Sequence, residues 1–177
     1  MPRHSVNHLV FLDETGANTK MIRRYGWGPR NERVVSNVPH GHWKTTTFVG
    51  ALRNSGMTAP LVIDGAMTGE IFLAYVEQQL VPTLQSGNIV VMDNLSSHKR
   101  AGVKDAIESV GATLVYLPPY SPDLNPIELA FSKLKTLLRK AAERTIEALW
   151  ERIGQLVDEF TPQECLNYFK HCGYTEP

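Results

Sequence analysis

The chain has 177 residues, 42% of them apolar and 20% charged, with 18 basic and 18 acidic side chains that cancel to a formal net charge of zero. That length and composition suit one globular domain with its own core, and exclude a disordered, collagen-like or disulfide-framework protein. No apolar run approaches membrane-spanning length, and the opening Met1-Pro2-Arg3-His4-Ser5 has no signal-peptide apolar segment, so a cytoplasmic location without a membrane partner is expected.

In chain order, a polar lead is followed by a predicted strand from His8 to Asp13, ended by Glu14-Thr15-Gly16. The segment Lys20 to Trp27 reads as a second strand carrying Ile22, Tyr25 and Trp27, with Gly26, Gly28 and Pro29 turning the chain before Arg33. Thr45 to Leu52, rich in β-branched residues, is a strand, and Asn54-Ser55-Gly56 turns it back into another over Ala59 to Ile63. The first third is therefore expected to be an antiparallel meander. The period then changes to helical spacing between Gly69 and Leu84. Next come a strand (Ile89 to Asp93), a helix (Lys99 to Val110, ended by Gly111) and a strand (Thr113 to Leu117). Pro118, Pro119, Pro122 and Pro126 stiffen the following loop and exclude helix until the last of them. A long helix should run from Pro126 to about Ala142, capped by Asn125. Two more follow, Glu147 to Phe160 and Thr161 to Phe169. Strands first, then helix and strand alternating, predict an α/β fold, a mixed sheet with helices on its faces. One domain, 1–177, accounts for all of it. Cys165 and Cys172 lie seven apart and match no metal or disulfide pattern, so they read as idle thiols.

Three acids stand out. Asp13 and Asp93 each follow an apolar run, and Glu128 falls in the first turn after the proline loop. Acids at element boundaries are what a divalent-metal site needs, because Mg²⁺ and Mn²⁺ take hard oxygen ligands. Two such ions about 4 Å apart can activate a water or a 3′-hydroxyl and stabilise the leaving oxygen of a phosphodiester. Each acid also has a plain structural reading. A strand-terminal Asp often serves a turn, and Asn125-x-x-Glu128 has the spacing of a capping box. The cations are segregated despite the zero net charge. Five lie between Lys20 and Arg33 against one acid, and five between Pro126 and Arg144 against two. Such clusters fit a solvated surface or a phosphate-backbone footprint.

The motifs Leu12-Asp13-Glu14-Thr15-Gly16, Met92-Asp93-Asn94 with His98, and Leu117-Pro118-Pro119-Tyr120-Ser121-Pro122 through Asn125-Pro126-Ile127-Glu128 together resemble the catalytic domain of a DDE transposase. The resemblance is to the mariner superfamily in its bacterial insertion-sequence branch. Thirty-four residues separate Asp93 from Glu128, the interval that family uses. The resemblance implies an RNase H-like fold of five strands, the first three antiparallel, with Asp13, Asp93 and Glu128 as catalytic residues and ligands for two Mg²⁺ ions (or Mn²⁺). It further implies cleavage of DNA at transposon ends and transfer of the 3′-hydroxyl into target DNA, usually at TA. A dimer is expected as the active assembly, on the nucleoid when bound to DNA. Arg30, His98, Lys133, Lys135, Arg139 and Lys140 are the candidate DNA contacts; Trp27 is assigned to the core. Phe131 stands where many relatives carry Trp.

Family members carry an N-terminal helix-turn-helix region, and nothing before His8 supplies one. The chain is then expected to be a fragment, a split-frame product or a remnant, with an upstream helix-turn-helix polypeptide as a partner. Other residues have structural readings: Asp64-Gly65 as a turn, Glu14 on the face opposite Asp13, and His40 with His42 as a loop pair. His98 either orients phosphate or water, or caps the helix near Lys99. A hydrolysis-only nuclease of the same fold and a non-catalytic DNA-binding remnant are the other function classes open at this point.

Overall fold

A computed structural model describes residues 5–174, so the lead Met1 to His4 lies outside the described residues. Ten elements make up the fold: β1 (Leu9–Asn18), β2 (Thr45–Arg53), β3 (Gly56–Asp64), α1 (Gly69–Tyr75), β4 (Ile89–Met92), α2 (Val103–Glu108), β5 (Thr113–Tyr116), α3 (Pro126–Ala141), α4 (Ile146–Val157) and α5 (Pro162–His171). The strands form one mixed sheet in the order β3-β2-β1-β4-β5. β1 pairs antiparallel with β2, and β2 with β3. β4 joins the other edge of β1 in parallel, and β5 follows in parallel on β4. The first three strands are thus an antiparallel meander, as the sequence predicts, and β1 lies at the centre.

Strand alternation sends side chains to two faces, and each face has its own core. On one, Leu9 and Phe11 of β1 pack with Ile127, Phe131 and Leu134 of α3 and with residues of α4 and α5. On the other, Val10 and Leu12 pack with Phe72, Tyr75, Val103 and Ile107 of the α1 and α2 layer. The apolar stripe of α3 (Ile127, Ala130, Phe131, Leu134, Leu138) has the spacing of a single buried face, and all five are buried. Phe131 meets Phe48 edge-on with ring centroids 5.9 Å apart, a packing role for the position where relatives carry Trp. Helix starts follow local chemistry. Thr68, Thr145 and Thr161 accept hydrogen bonds from the first turns of α1, α4 and α5, and proline opens α3 and α5. Ala142, in the left-handed region at φ 53°, closes α3.

Three expectations are corrected. β1 does not stop at Asp13 but runs on to Asn18, because β2 continues to pair with it through Asn18 opposite Thr45. Lys20 to Trp27 is not a strand: residues 20–44 make an irregular excursion between β1 and β2. Its aromatic residues do not reach the core, and Trp27 and Tyr25 are fully exposed. Their period-2 spacing resembles a strand, but the segment pairs with none of the five strands. The helix expected from Lys99 begins instead as a short turn, Ser97–Lys99, and α2 starts only at Val103. Gly102 intervenes at φ 95°, a conformation that a side chain would strain.

Leu134→Ala, which empties a fully buried site under α3, should cost about 2–5 kcal/mol. Trp27→Ala should stay within about 0.5 kcal/mol. Urea denaturation of both variants checks the contrast; a large loss for Trp27→Ala would put that residue back in the core.

Candidate active site

The register of the central parallel pair brings the acids together. Leu12 lies opposite Met92 as the last pair between β1 and β4. The next residue on each strand is an aspartate, Asp13 and Asp93, so the two leave the pair at one level. Asp13 shares the parity of Leu9 and Phe11 and therefore faces α3, whose first turn carries Glu128. The charges of Asp93, Glu128 and Glu14 all act on the Asp13 carboxyl. Asp13 itself is not at a strand end, as expected from the sequence, but buried within β1. Its cross-strand neighbour is Gly50, so β2 places no side chain beside it.

Asp13 is held by two donors. The Glu14 backbone N–H donates to Oδ1 at 2.8 Å, and the Asn125 side-chain amide donates to Oδ2 at 2.9 Å. Asn125 is buried and makes no side-chain cap on α3. The expected cap is therefore absent: the Asn125 amide turns inward across the sheet to the aspartate. The capping-box reading of Glu128 also fails, since the Asn125 N–H donates to the Pro122 carbonyl and Glu128 is exposed. Burial raises Asp13 strongly, the Glu14 N–H pulls it down, and the neighbouring acids add to the rise, leaving it at about 7.

The opposite face carries a second device. Glu14 points away from Asp13, as alternation requires, and its Oε2 lies 2.8 Å from His98 Nε2. His98 Nδ1 lies 2.5 Å from Asp93 Oδ1, an ion-pair contact that lacks hydrogen-bond alignment. Burial opposes a charge on the ring, yet the Asp93 and Glu14 carboxylates outweigh it and lift His98 to about 10. The same contact holds Asp93 below the usual carboxylate range against its own partial burial. Phe72 stacks on the imidazole at 4.4 Å, and the Tyr116 hydroxyl donates to the His98 carbonyl at 3.0 Å. His98 is fully buried, which corrects its place among the DNA contacts and its alternative as a helix cap. It is an imidazolium clamped between two acids. Alternation identified the face of Glu14 but not its partner, because the contact spans 84 residues of sequence.

The candidate DNA cations separate into two kinds. Lys133 bonds Glu164 at 2.7 Å and lies 4.7 Å over the Phe160 ring, so it ties α3 to α5 rather than facing solvent; this corrects its place among the contacts. Lys135 and Arg139 line a groove with the excursion after β1, while Lys140 and Arg30 are exposed. Arg144, beyond them, donates to the Thr19 and Met21 carbonyls and pins the start of that excursion. Asp64 is the last residue of β3, paired with Thr46, and the chain bends only at Gly65, at φ 81°, so the expected Asp64-Gly65 turn is corrected to a strand end. His40 and His42 are exposed, and Cys165 and Cys172 are free thiols.

Among the described residues, no three acid, histidine or cysteine side chains already form a cage for a metal ion. The chemistry of the site nevertheless fits a hard divalent cation. Its donors are carboxylate oxygens, and a buried acid beside other acids is the charge arrangement that a cation relieves.

The family model for DDE superfamily endonucleases matches residues 8–150, most of the chain. No curated protein matches the sequence. Among solved structures, a pre-cleavage Mos1 transpososome aligns with a TM-score of 0.73 at 16% identity, covering 94% of this chain and 52% of that one. A Mos1 mariner paired-end complex with Mn gives 0.72 at 15% identity, covering 95% and 52%. The catalytic domain of Mos1 mariner transposase gives 0.64 at 16% identity, covering 94% and 76%. The chain spans about half the length of the transposases in those complexes. At these identities the likeness is one of fold, and it is the RNase H-like fold.

The Asp13 shift has a signed consequence for stability. In the unfolded chain the carboxyl loses its proton near the ordinary Asp value; in the folded protein it keeps it to about 7. The folded state binds the extra proton in between, so this group's contribution is present at low pH and lost as pH rises through about 7. The loss should be on the order of 2–4 kcal/mol in metal-free protein. Asp13→Asn should remove it, so that the stability difference between variant and wild type grows from pH 5 to pH 8 in urea titrations with chelator. A constant difference would mean that Asp13 is not a stressed acid.

Proposed function

This chain belongs to the DDE superfamily of endonucleases, and from that premise we propose that it is the catalytic domain of a metal-dependent DNA transposase. The observation that carries the reading is the placing of Asp13 and Asp93 just past the last pair of two parallel strands, with Glu128 acting on Asp13 from the start of α3. In this reading Asp13, Asp93 and Glu128 are the catalytic residues and hold two Mg²⁺ ions, for which Mn²⁺ substitutes. Bound there, such ions would supply an activated water or 3′-hydroxyl and stabilise the leaving oxygen.

The chain's own residues supply the rest. Asn125 fixes Asp13 in one rotamer, so both oxygens keep their direction while the acid is ionised. Glu14 holds the His98 ring, and the ring holds Asp93. The imidazolium also keeps Asp93 ionised, a condition for ligating a metal. The substrate is DNA: cleavage at transposon ends, then transfer of the 3′-end into target DNA at TA, by a dimer. A helix-turn-helix polypeptide supplies recognition of the ends. A hydrolysis-only nuclease would use the same acids and differs in lacking the joining step.

Incubation with labelled DNA carrying the element's ends, with Mg²⁺ or Mn²⁺ and with the upstream polypeptide added as a control, tests the reading. Wild type should nick and then join. Asp13→Asn, Asp93→Asn and Glu128→Gln should each fall to background with the fold intact by circular dichroism. Nicking without joining supports the hydrolytic reading; binding with neither sinks the enzyme. Near-normal cleavage by Glu128→Gln would return that residue to a purely structural place. The positioning groups are expected to cost less: Asn125→Ala and His98→Ala should lower metal affinity about 10- to 100-fold, read by Mn²⁺ titration independently of cleavage.

A further inference from the structure

Beside the acids, α3 and the excursion after β1 enclose a groove of about 560 Å³. Lys20 and Arg24 stand on one wall and Lys135 and Arg139 on the other, with Trp43 and Val38 between them, and no acid lines it. Among the described residues none of the four cations has an ion-pair partner. Four positive charges around one hollow attract an anion into it. Trp43 is 54% exposed, and Lys20 lies 4.7 Å over one face of its ring. A cationic groove with an accessible aromatic wall is the arrangement that binds single-stranded nucleic acid: phosphates follow the cations and a base lies on the ring. The volume is in the range that encloses a small ligand, room for one or two nucleotides rather than for a duplex.

The position of the groove gives the strand a direction. Lys135 and Arg139 follow Glu128 by seven and eleven residues on α3, about 10 and 16 Å along the helix. Gly16 and Asn18, which also border the groove, follow Asp13 by three and five residues on β1, about 10 and 17 Å. Both walls therefore lead away from the acids by the same distance.

We propose that this groove is a single-strand track, which receives the unpaired DNA strand running from the acid site and holds it by its phosphates and one stacked base. It rests on the nuclease reading for its purpose, but its binding chemistry does not involve the acids. A fluorescein-labelled oligothymidylate, and the same oligonucleotide annealed to its complement, are titrated with the 177-residue chain in EDTA and followed by anisotropy. The single strand should bind more tightly than the duplex and quench Trp fluorescence. Lys135→Glu with Arg139→Glu should weaken single-strand binding at least about tenfold, with the slope of log affinity against log salt falling by about 1.4 for two lost phosphate contacts. Trp43→Ala should weaken it about five- to a hundredfold, leave the salt slope unchanged and abolish the quenching. Lys170→Glu, an exposed cation on α5 outside the groove, is the control for non-specific charge and should change binding less than twofold. Tighter binding of duplex, or an equal loss from Lys170→Glu, overturns the track. Because no metal is present, loss of the track leaves the cleavage result with Asp93→Asn unaffected, and failure of that cleavage leaves the binding result intact.

Discussion

A carboxylate buried inside the central strand is the constraint around which this fold is arranged. Asp13 sits in β1, the strand that every other part of the sheet must pair with directly or through one neighbour. Its rise to about 7 leaves it only partly ionised at neutral pH, and its ionisation costs the fold on the order of 2–4 kcal/mol, a large share of an ordinary domain's roughly 5–15 kcal/mol. Such a residue persists only where the surroundings leave it no escape. Gly50 keeps its β2 flank clear, Glu14 N–H and Asn125 fix its two oxygens, and the apolar layer below it is sealed by α3.

The Asp13-Glu14 dipeptide puts two adjacent acids to use on opposite faces of one sheet. Asp13 looks toward α3 and is steadied by Asn125. Glu14 looks toward the α1 and α2 layer, where it fixes His98, and His98 returns across the end of β4 to Asp93. The two aspartates are therefore braced from different layers: Asp13 by Asn125, 112 residues on, and Asp93 by the nearby His98, which Glu14 holds from 84 residues away. Displacing α3 would loosen Asp13 through Asn125. Displacing the Phe72 and His98 stack would loosen Asp93. Each layer of the sandwich controls one acid.

The antiparallel start, the parallel strands after it and the long helix from Pro126 were legible because each depends on local pattern; the number of strands, five, came from the family resemblance, since pattern alone gave one too many. The acids were legible because apolar runs ended at them and because their motifs resemble a known family. What escaped was set by distance. Asn125 has every local mark of a helix cap, and only the neighbouring strand, 112 residues back, diverts its amide. Lys133 reads as one more surface cation until α5 brings Glu164 to it. His98 in the sequence is a lone histidine between polar residues, and its burial depends on Phe72 and Glu14 arriving from other elements. Trp27 failed for the converse reason: its aromatic alternation has the local mark of a strand, yet the segment joins no strand of the sheet and both rings stay exposed.

A net charge of zero conceals two local fields of opposite sign. At physiological salt the screening length is about 8 Å, shorter than the ~10–16 Å between Glu128 and the cations of Lys135 and Arg139 along α3. The acids therefore cannot neutralise the groove, and the groove cannot draw a phosphate into the acids. A phosphate backbone on this surface would meet repulsion at the acids and attraction about two to three helical turns away. On the proposed reading, a phosphodiester would be accepted at the acid end only once divalent cations had reversed its sign, so anchoring would be separable from chemistry. A strand held in the groove would then wait on metal binding at Asp13, Asp93 and Glu128 before it could be cut.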